Sequence, residues 1–257
     1  MQEHKEMTLV EHLAELRRRL IWVIVLFIIA LIAGVYFAGP VIEYLKHDPM
    51  AGGVPLKSFH PSDALMVYMQ FAFLISLVVT VPFALFQLWG FVSPGLRENE
   101  RKATVYFIPA AFLLFIVGIL FGYYVVFPMV IQFMAGVTTE IGADPTYGIA
   151  QYFGFLFNMV IPFGFLFELP IIVMFLTRLR LLNPMRLAKI RRISYFLLAI
   201  VAITLTPPDF MSDVLVTIPL FILYELSVWI SRVVYRKQLQ EDAAWQERYE
   251  TDSNKSV

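Results

Sequence analysis

Two short acidic stretches hold the residues of this chain best suited to chemistry. EHLAELRRRL, Glu11 to Leu20, sets Glu11 and Glu15 beside three arginines, and FVSPGLRENERK, Phe91 to Lys102, sets Glu98 and Glu100 among Arg97, Arg101 and Lys102. Carboxylates so placed can hold a cation, above all a guanidinium, whose planar fork matches a carboxylate in a way an ammonium cannot. Each stretch also has a plainer reading. On a helix Glu15 faces Arg18 and Arg19 at i+3 and i+4, a surface ion pair worth roughly 0.2–0.5 kcal/mol. SPGL ends one helix in a proline turn, and the acids that follow suit the positive end of the next helix dipole. A third acid stands apart. In FGFLFELPIIVMFL, Phe163 to Leu176, Glu168 is the only charged residue. Its plain reading is a packing contact to a polar residue such as Gln70, Gln87 or Thr204; its functional reading is a polar spot that engages another membrane segment. Glu225 lies seven residues before Arg232 and can snorkel to an interface.

The elements that must position these acids are membrane helices. Of 257 residues 59% are hydrophobic and 16% charged, and the mean hydropathy is +0.72, beyond the range of an ordinary soluble domain. A span needs about 20 predominantly apolar residues. Six runs qualify or come close: 20–38, 67–92, 104–134, 152–177, 193–206 and 214–231. The first follows three arginines but is too long for a signal peptide and has no cleavage site after it, which reads as a retained helix. With six spans both termini share one side, as do the loops between spans two and three and spans four and five. These four segments carry 4, 3, 6 and 5 basic residues, 18 of the chain's 20, leaving Lys46 and Lys57 opposite. The positive-inside rule therefore predicts cytoplasmic termini. A net charge of zero hides this asymmetry, and nothing in it suggests a nucleic-acid partner.

The chain has no cysteine, so disulfides and thiolate chemistry are excluded. The loop 39–64 is rich enough in Pro and Gly to predict a structured cap. Prolines 82, 109, 128, 162 and 170 predict bent helices and, with them, a concave body. The run 193–206 reaches only about 21 Å as a helix, so this part of the protein either thins the bilayer or is shielded by its neighbours. The expected organisation is a single six-span domain over residues 1–236, followed by a polar tail, 237–257, without fixed structure. His12, His47 and His60 have no metal-ligand companions at useful spacing, and no P-loop, HExxH or nucleophile-with-base pattern occurs. Neither a metal, a cofactor nor catalysis is expected.

Taken together, the motifs resemble the TatC family, the polytopic core of the twin-arginine protein translocase. HLAELRRRL, FVSPGLRENERK, YVVFPM at Tyr124 to Met129, FELP at Phe167 to Pro170, TPPD at Thr206 to Asp209 and IPLFILYELS at Ile218 to Ser227 stand in that family's order, from about Val10 to Val234. The resemblance implies export of folded proteins whose signal peptides carry an Arg-Arg pair. It further implies that Glu15 and Glu100 bind those guanidinium groups, with Phe91, Pro94, Leu96, Arg101 and Arg17 in the same site. It implies single-span partners of the TatA and TatB type, with Glu168 and Glu225 as intramembrane contacts and Pro207, Pro208 and Asp209 as a structural turn. It also implies a plasma-membrane location, homo-oligomers within a larger complex in the lipid bilayer, and drive from the proton-motive force.

Two other readings remain in play. A secondary transporter of a small solute or ion would use Glu168 and Glu225 as a proton relay, although no inverted repeat supports it. An intramembrane hydrolase would pair Glu168 with Asp209, which the expected topology puts near opposite faces.

Overall fold

The computed structural model describes residues 9–46, 56–93, 107–144, 146–206 and 210–255. In chain order the elements are α1 (Leu9–Lys46), β1 (Leu56–Lys57), α2 (Asp63–Val92), α3 (Phe107–Phe121), a π-helical stretch (Gly122–Val126), α4 (Phe127–Glu140), β2 (Tyr147–Gly148), α5 (Ile149–Leu166), α6 (Leu169–Arg178), α7 (Pro184–Lys189), α8 (Arg191–Leu205) and α9 (Phe210–Lys255). The all-α membrane fold read from the composition is what the chain adopts. Five helical runs among the described residues are long and apolar enough to cross a bilayer: Glu11–Leu45, Asp63–Val92, Phe107–Glu140, Ile149–Arg178 and Phe210–Ala244. The sixth expected span, 193–206, is α8. At 15 residues it extends about 22 Å and falls short of those five.

Prolines mark where the helices start as often as where they continue. Pro128 and Pro170 are each the second residue of a helix, while α1, α2, α5 and α9 run through Pro40, Pro82, Pro162 and Pro219. Pro128 cannot donate a backbone hydrogen bond, and the turn just before it is rewound, with the Phe127 N–H reaching back to the Gly122 carbonyl. Pro170 likewise interrupts the fourth run, splitting it into α5 and α6 with Phe167 and Glu168 at the break.

By its internal contacts the chain forms two compact units, Met1–Gly164 and Phe165–Val257. In the first, α1 packs along α2. Lipid tails are as apolar as leucine, so close approach and dispersion, rather than hydrophobic exclusion, hold such helices together. Gly34 makes the approach possible, because a Cβ there would lie 2.7 Å from the Ala72 carbonyl oxygen. Phe71 of α2 sits edge-on to Phe153 and Phe157 of α5, at 5.1 and 4.8 Å between ring centres, and all three rings are buried. At one end of the unit the two connecting loops are joined, β1 pairing in parallel with β2 so that Leu56 is opposite Tyr147 and Lys57 opposite Gly148. Asp63 starts α2 by accepting the N–H groups of Phe59 and His60 at 2.8 and 3.0 Å. Part of the cap expected over 39–64 is thus ordered by turns, part is α1 continuing to Lys46, and residues 47–55 lie outside the described residues.

The second unit is stitched by polar contacts. Thr177 of α6 and Ser231 of α9, both wholly buried, share a 2.7 Å hydrogen bond. Tyr224 donates to the Leu187 carbonyl at 2.8 Å, and Thr206 donates to Asp213 at 2.5 Å. Arg180, with φ of 62°, ends α6 in the left-handed conformation and pairs with Asp242 at 2.6 Å. Gln238 donates to the Arg178 carbonyl at 2.8 Å. These last two contacts fall within the tail that composition alone marks as unstructured, and the structure corrects that expectation: α9 continues as helix to Lys255. The segment is rich in Gln, Glu, Ala and Lys, good helix formers that can extend a helix already nucleated by the apolar part of α9.

Candidate functional site

The site is built where the first turns of α1 meet the last turns of α2. The apolar stretch of α1 carries Gly34 against Ala72, and this close crossing aligns the two helices over their shared length. At the polar end the i, i+4 pair read from the sequence is formed. Arg19 donates to Glu15 Oε1 from Nε at 3.0 Å and from Nη2 at 2.5 Å, and each side chain is one-quarter exposed. Two further partners come from α2, 68 residues away. Arg19 Nη1 donates to the Gln87 carbonyl and to Gln87 Oε1, both at 3.3 Å. Gly90 leaves the space: a Cβ there would lie 2.2 Å from Nη1. Two turns before Arg19 on α1, His12 stacks on Phe91, with ring centres 4.2 Å apart and planes 23° apart.

The arrangement is a cradle for one guanidinium, walled by a carboxylate and an amide. Glu15 gives Arg19 one oxygen, Oε1, and Oε2 has no hydrogen-bond partner among the described residues. Chemically it can hold cations with planar N–H donors.

The structure brings together Glu15 and Phe91 from the expected set. Arg17 lies exposed on α1. Glu100, Pro94, Leu96 and Arg101 are outside the described residues, as are Pro207, Pro208 and Asp209. Sequence reasoning missed Gln87, Gly90 and the packing role of His12. The spacing of Gln87 and Gly90 ahead of SPGL was available as a signal, since residues three apart share a helix face, but nothing in one helix names its neighbour.

The two intramembrane acids differ. Glu168 is only 5% exposed, and neither carboxyl oxygen has a hydrogen-bond partner among the described residues. Two of the partners suggested for it are engaged elsewhere, Gln87 with Arg19 and Thr204 with the Ile200 carbonyl. A buried acid without a partner is costly and seldom structural. Glu225 is the opposite case. Its Oε2 receives Arg191 at 2.8 Å, its Oε1 receives the Tyr195 hydroxyl at 2.6 Å, and its side chain is 41% exposed. A groove of about 300 Å³ on the first unit, lined mainly by Leu31, Met66, Met69, Phe73 and Phe157, includes Gln70 as its polar member.

The family model for Sec-independent protein translocase protein (TatC) matches residues 11–219. A Sec-independent protein translocase protein TatC from Halalkalibacterium halodurans is 46% identical over 95% of this chain and 97% of its own length. The TatCy protein of Bacillus subtilis is 48% identical over 93% and 94%. Among solved structures, a crystal structure of a twin-arginine translocase receptor, TatC, superposes with a TM-score of 0.77 at 31% identity, covering 87% of this chain and 99% of that one.

Proposed function

Because this chain belongs to the TatC family of Sec-independent protein translocase proteins, we propose that it is the receptor and core subunit of a translocase for folded proteins, capturing twin-arginine signal peptides at the α1 and α2 site. One observation carries this reading: Glu15 already holds a guanidinium in a cradle completed by Gln87 and Gly90. The second arginine of a ligand would fall to Glu100, nine residues after Phe91 in sequence, with Pro94, Leu96 and Arg101 contributing to the same site and Arg17 exposed on α1. Charge-assisted hydrogen bonds contribute about 1.5–3 kcal/mol each. Two such contacts, less ordering entropy and salt screening, suit reversible capture.

The remaining parts follow the same reading. The distribution of 18 of 20 basic residues supports a plasma-membrane protein with the site and both termini on the cytoplasmic side, and with α8 as the short sixth span. Glu168, buried and unpartnered, is the contact for TatA-type or TatB-type single-span helices, and several copies of the chain assemble with them. Glu225 supports the helix ends through Arg191 and Tyr195. Pro207, Pro208 and Asp209, which join α8 to α9 in sequence, take the structural role. With no catalytic machinery, work comes from the proton-motive force, which supplies about 2.3 kcal/mol per charge per 100 mV. A transporter relay from Glu168 to Glu225 is disfavoured, because both oxygens of Glu225 are already occupied.

The test is a titration of purified protein in detergent with a peptide containing Arg-Arg and with its Lys-Lys counterpart. The Arg-Arg peptide should bind more tightly, and Glu15→Gln should weaken it about tenfold, one charge-assisted contact's worth. Equal binding of both peptides, or an unaffected Glu15→Gln variant, would refute the assignment.

A further inference from the structure

We propose that α7 and the first turn of α8 seat the headgroup of an anionic phospholipid from the cytoplasmic leaflet, held by Arg186, Lys189 and Arg192. The inference takes from the reading above only the orientation of this end towards the cytoplasm, and it concerns the second unit alone. The path of the chain there carries it. Thr177, near the end of α6, is hydrogen-bonded to Ser231 of α9, while Arg178 and Arg180 meet Gln238 and Asp242 further along the same helix. After that excursion the chain turns back. The Leu187 carbonyl of α7 accepts the Tyr224 hydroxyl, and Arg191, the first residue of α8, pairs with Glu225. Tyr224 precedes Ser231 by seven residues, so α7 docks about 10 Å nearer the apolar middle of α9 than the end of α6 does.

Trp229, exposed on α9 between those two levels, marks the depth. Tryptophan collects at the boundary between headgroups and hydrocarbon, and both Tyr224 and Glu225 lie on the membrane side of it. The outward surface of α7 and early α8 agrees. Met185, Ile190 and Ile193 are exposed among the exposed Arg186, Lys189 and Arg192, whereas Pro184 and Leu187 are buried. Such a mixture matches acyl chains and phosphates better than open water. Cations at that depth need anions, and the acid at their level is spent: Glu225 has one oxygen on Arg191 and the other on Tyr195. Arg186, Lys189 and Arg192 have no salt-bridge partner among the described residues. A lipid phosphodiester supplies the missing charge, its oxygens accepting from two guanidinium groups and one ammonium. Its acyl chains then run along the exposed apolar side of α8. A zwitterionic lipid brings the same phosphate, but its own ammonium opposes three cations, so the seat selects lipids of net negative charge.

The experiment measures binding of dioctanoyl phosphatidylglycerol to the full-length protein in detergent at fixed ionic strength, with dioctanoyl phosphatidylcholine and inorganic phosphate as comparison probes. Phosphatidylglycerol should bind about tenfold more tightly than either. Arg186→Gln/Arg192→Gln should weaken it about 25-fold, at about fivefold for each cation removed. Arg236→Gln/Lys237→Gln takes the same charge from the exposed surface of α9 beyond Trp229 and should leave the affinity within about twofold. Equal losses in the two double variants would mean a diffuse field and overturn the seat. Equal binding of phosphatidylcholine, or inorganic phosphate binding as tightly as the lipid, would overturn it as well. If Arg186→Gln/Arg192→Gln does not fold, Lys189→Gln carries the test, with a loss of about fivefold expected and an unchanged affinity counting against the seat. Detergent removes sidedness, so these constants test the seat whichever way the protein is oriented, and they are independent of the Arg-Arg titration.

Discussion

Gly34→Ala tests how the helix crossing positions the site. The added methyl carbon would lie 2.7 Å from the Ala72 carbonyl oxygen and 3.1 Å from its Cα. These are backbone atoms, so no side-chain rotation relieves the clash. Restoring the 3.4 Å of ordinary contact requires α1 to retreat by the difference, about 0.7 Å. A retreat of that size along the whole helix would stretch the Arg19 to Gln87 contacts from 3.3 Å to about 4.0 Å, beyond hydrogen-bonding range. Overpacking of this kind costs about 1–3 kcal/mol, against which the better helix propensity of alanine returns about 0.5–1 kcal/mol. The expected outcome is a lower melting temperature in detergent, by about 2–4 °C per kcal/mol of net loss. Arg-Arg peptide affinity should also fall several-fold, because Glu15 moves with α1 away from the α2 side of the site. Gly136→Ala is the internal control: nothing lies within 4 Å of a Cβ there, so only the propensity gain remains and the protein should melt slightly higher. If Gly34→Ala melts as high as Gly136→Ala, the crossing at Ala72 does not constrain α1 and the reasoning fails.

Other substitutions probe separate features. Glu168→Leu removes two buried, unpartnered oxygens and should raise the melting temperature, spare peptide binding and abolish export in cells; a lower melting temperature would reveal a partner for the acid. Thr177→Val deletes the buried hydrogen bond to Ser231 at nearly constant volume, and thermal unfolding should show a loss of about 0.6–1.7 kcal/mol. An unchanged transition would mean that bond contributes nothing. Arg180→Gly relieves a left-handed residue, a gain of about 1 kcal/mol, and loses an exposed ion pair worth about 0.2–1 kcal/mol, so stability should scarcely change. Arg180→Ala loses the pair and keeps the strain, and should melt below both.

What could be read from the chain follows from what is local in it. The helices announce themselves by apolar length, and the Glu15 to Arg19 pair by a four-residue interval. The break at Phe167 and Glu168 follows from Pro170, whose missing N–H acts only on its own turn. The features that escaped are those needing a neighbour. Gln87 receives Arg19 across 68 residues, and the space beside Gly90 has meaning only once Arg19 fills it. The length of α9 escaped for a different reason: polar composition argues against a packed core, but a helix already started in the membrane can be prolonged by residues that would not fold alone, here braced by Gln238 and Asp242. The five long membrane runs were readable because length and apolarity suffice, whereas α8, at 15 residues, is shorter than any of them.

The pairing of β1 with β2 sets an order on the birth of the molecule. Leu56 and Tyr147 lie 91 residues apart, with α2, α3 and α4 between them. At a synthesis rate of about 5–20 residues per second, the first strand leaves the ribosome some 5–18 seconds before its mate exists. The hairpin of α1 and α2 must wait through that interval with one edge unsatisfied, and the clasp can close only after the intervening helices have been threaded into the lipid. Its closure therefore marks the point at which the helices up to α4 stand in register, before α5 completes the first unit.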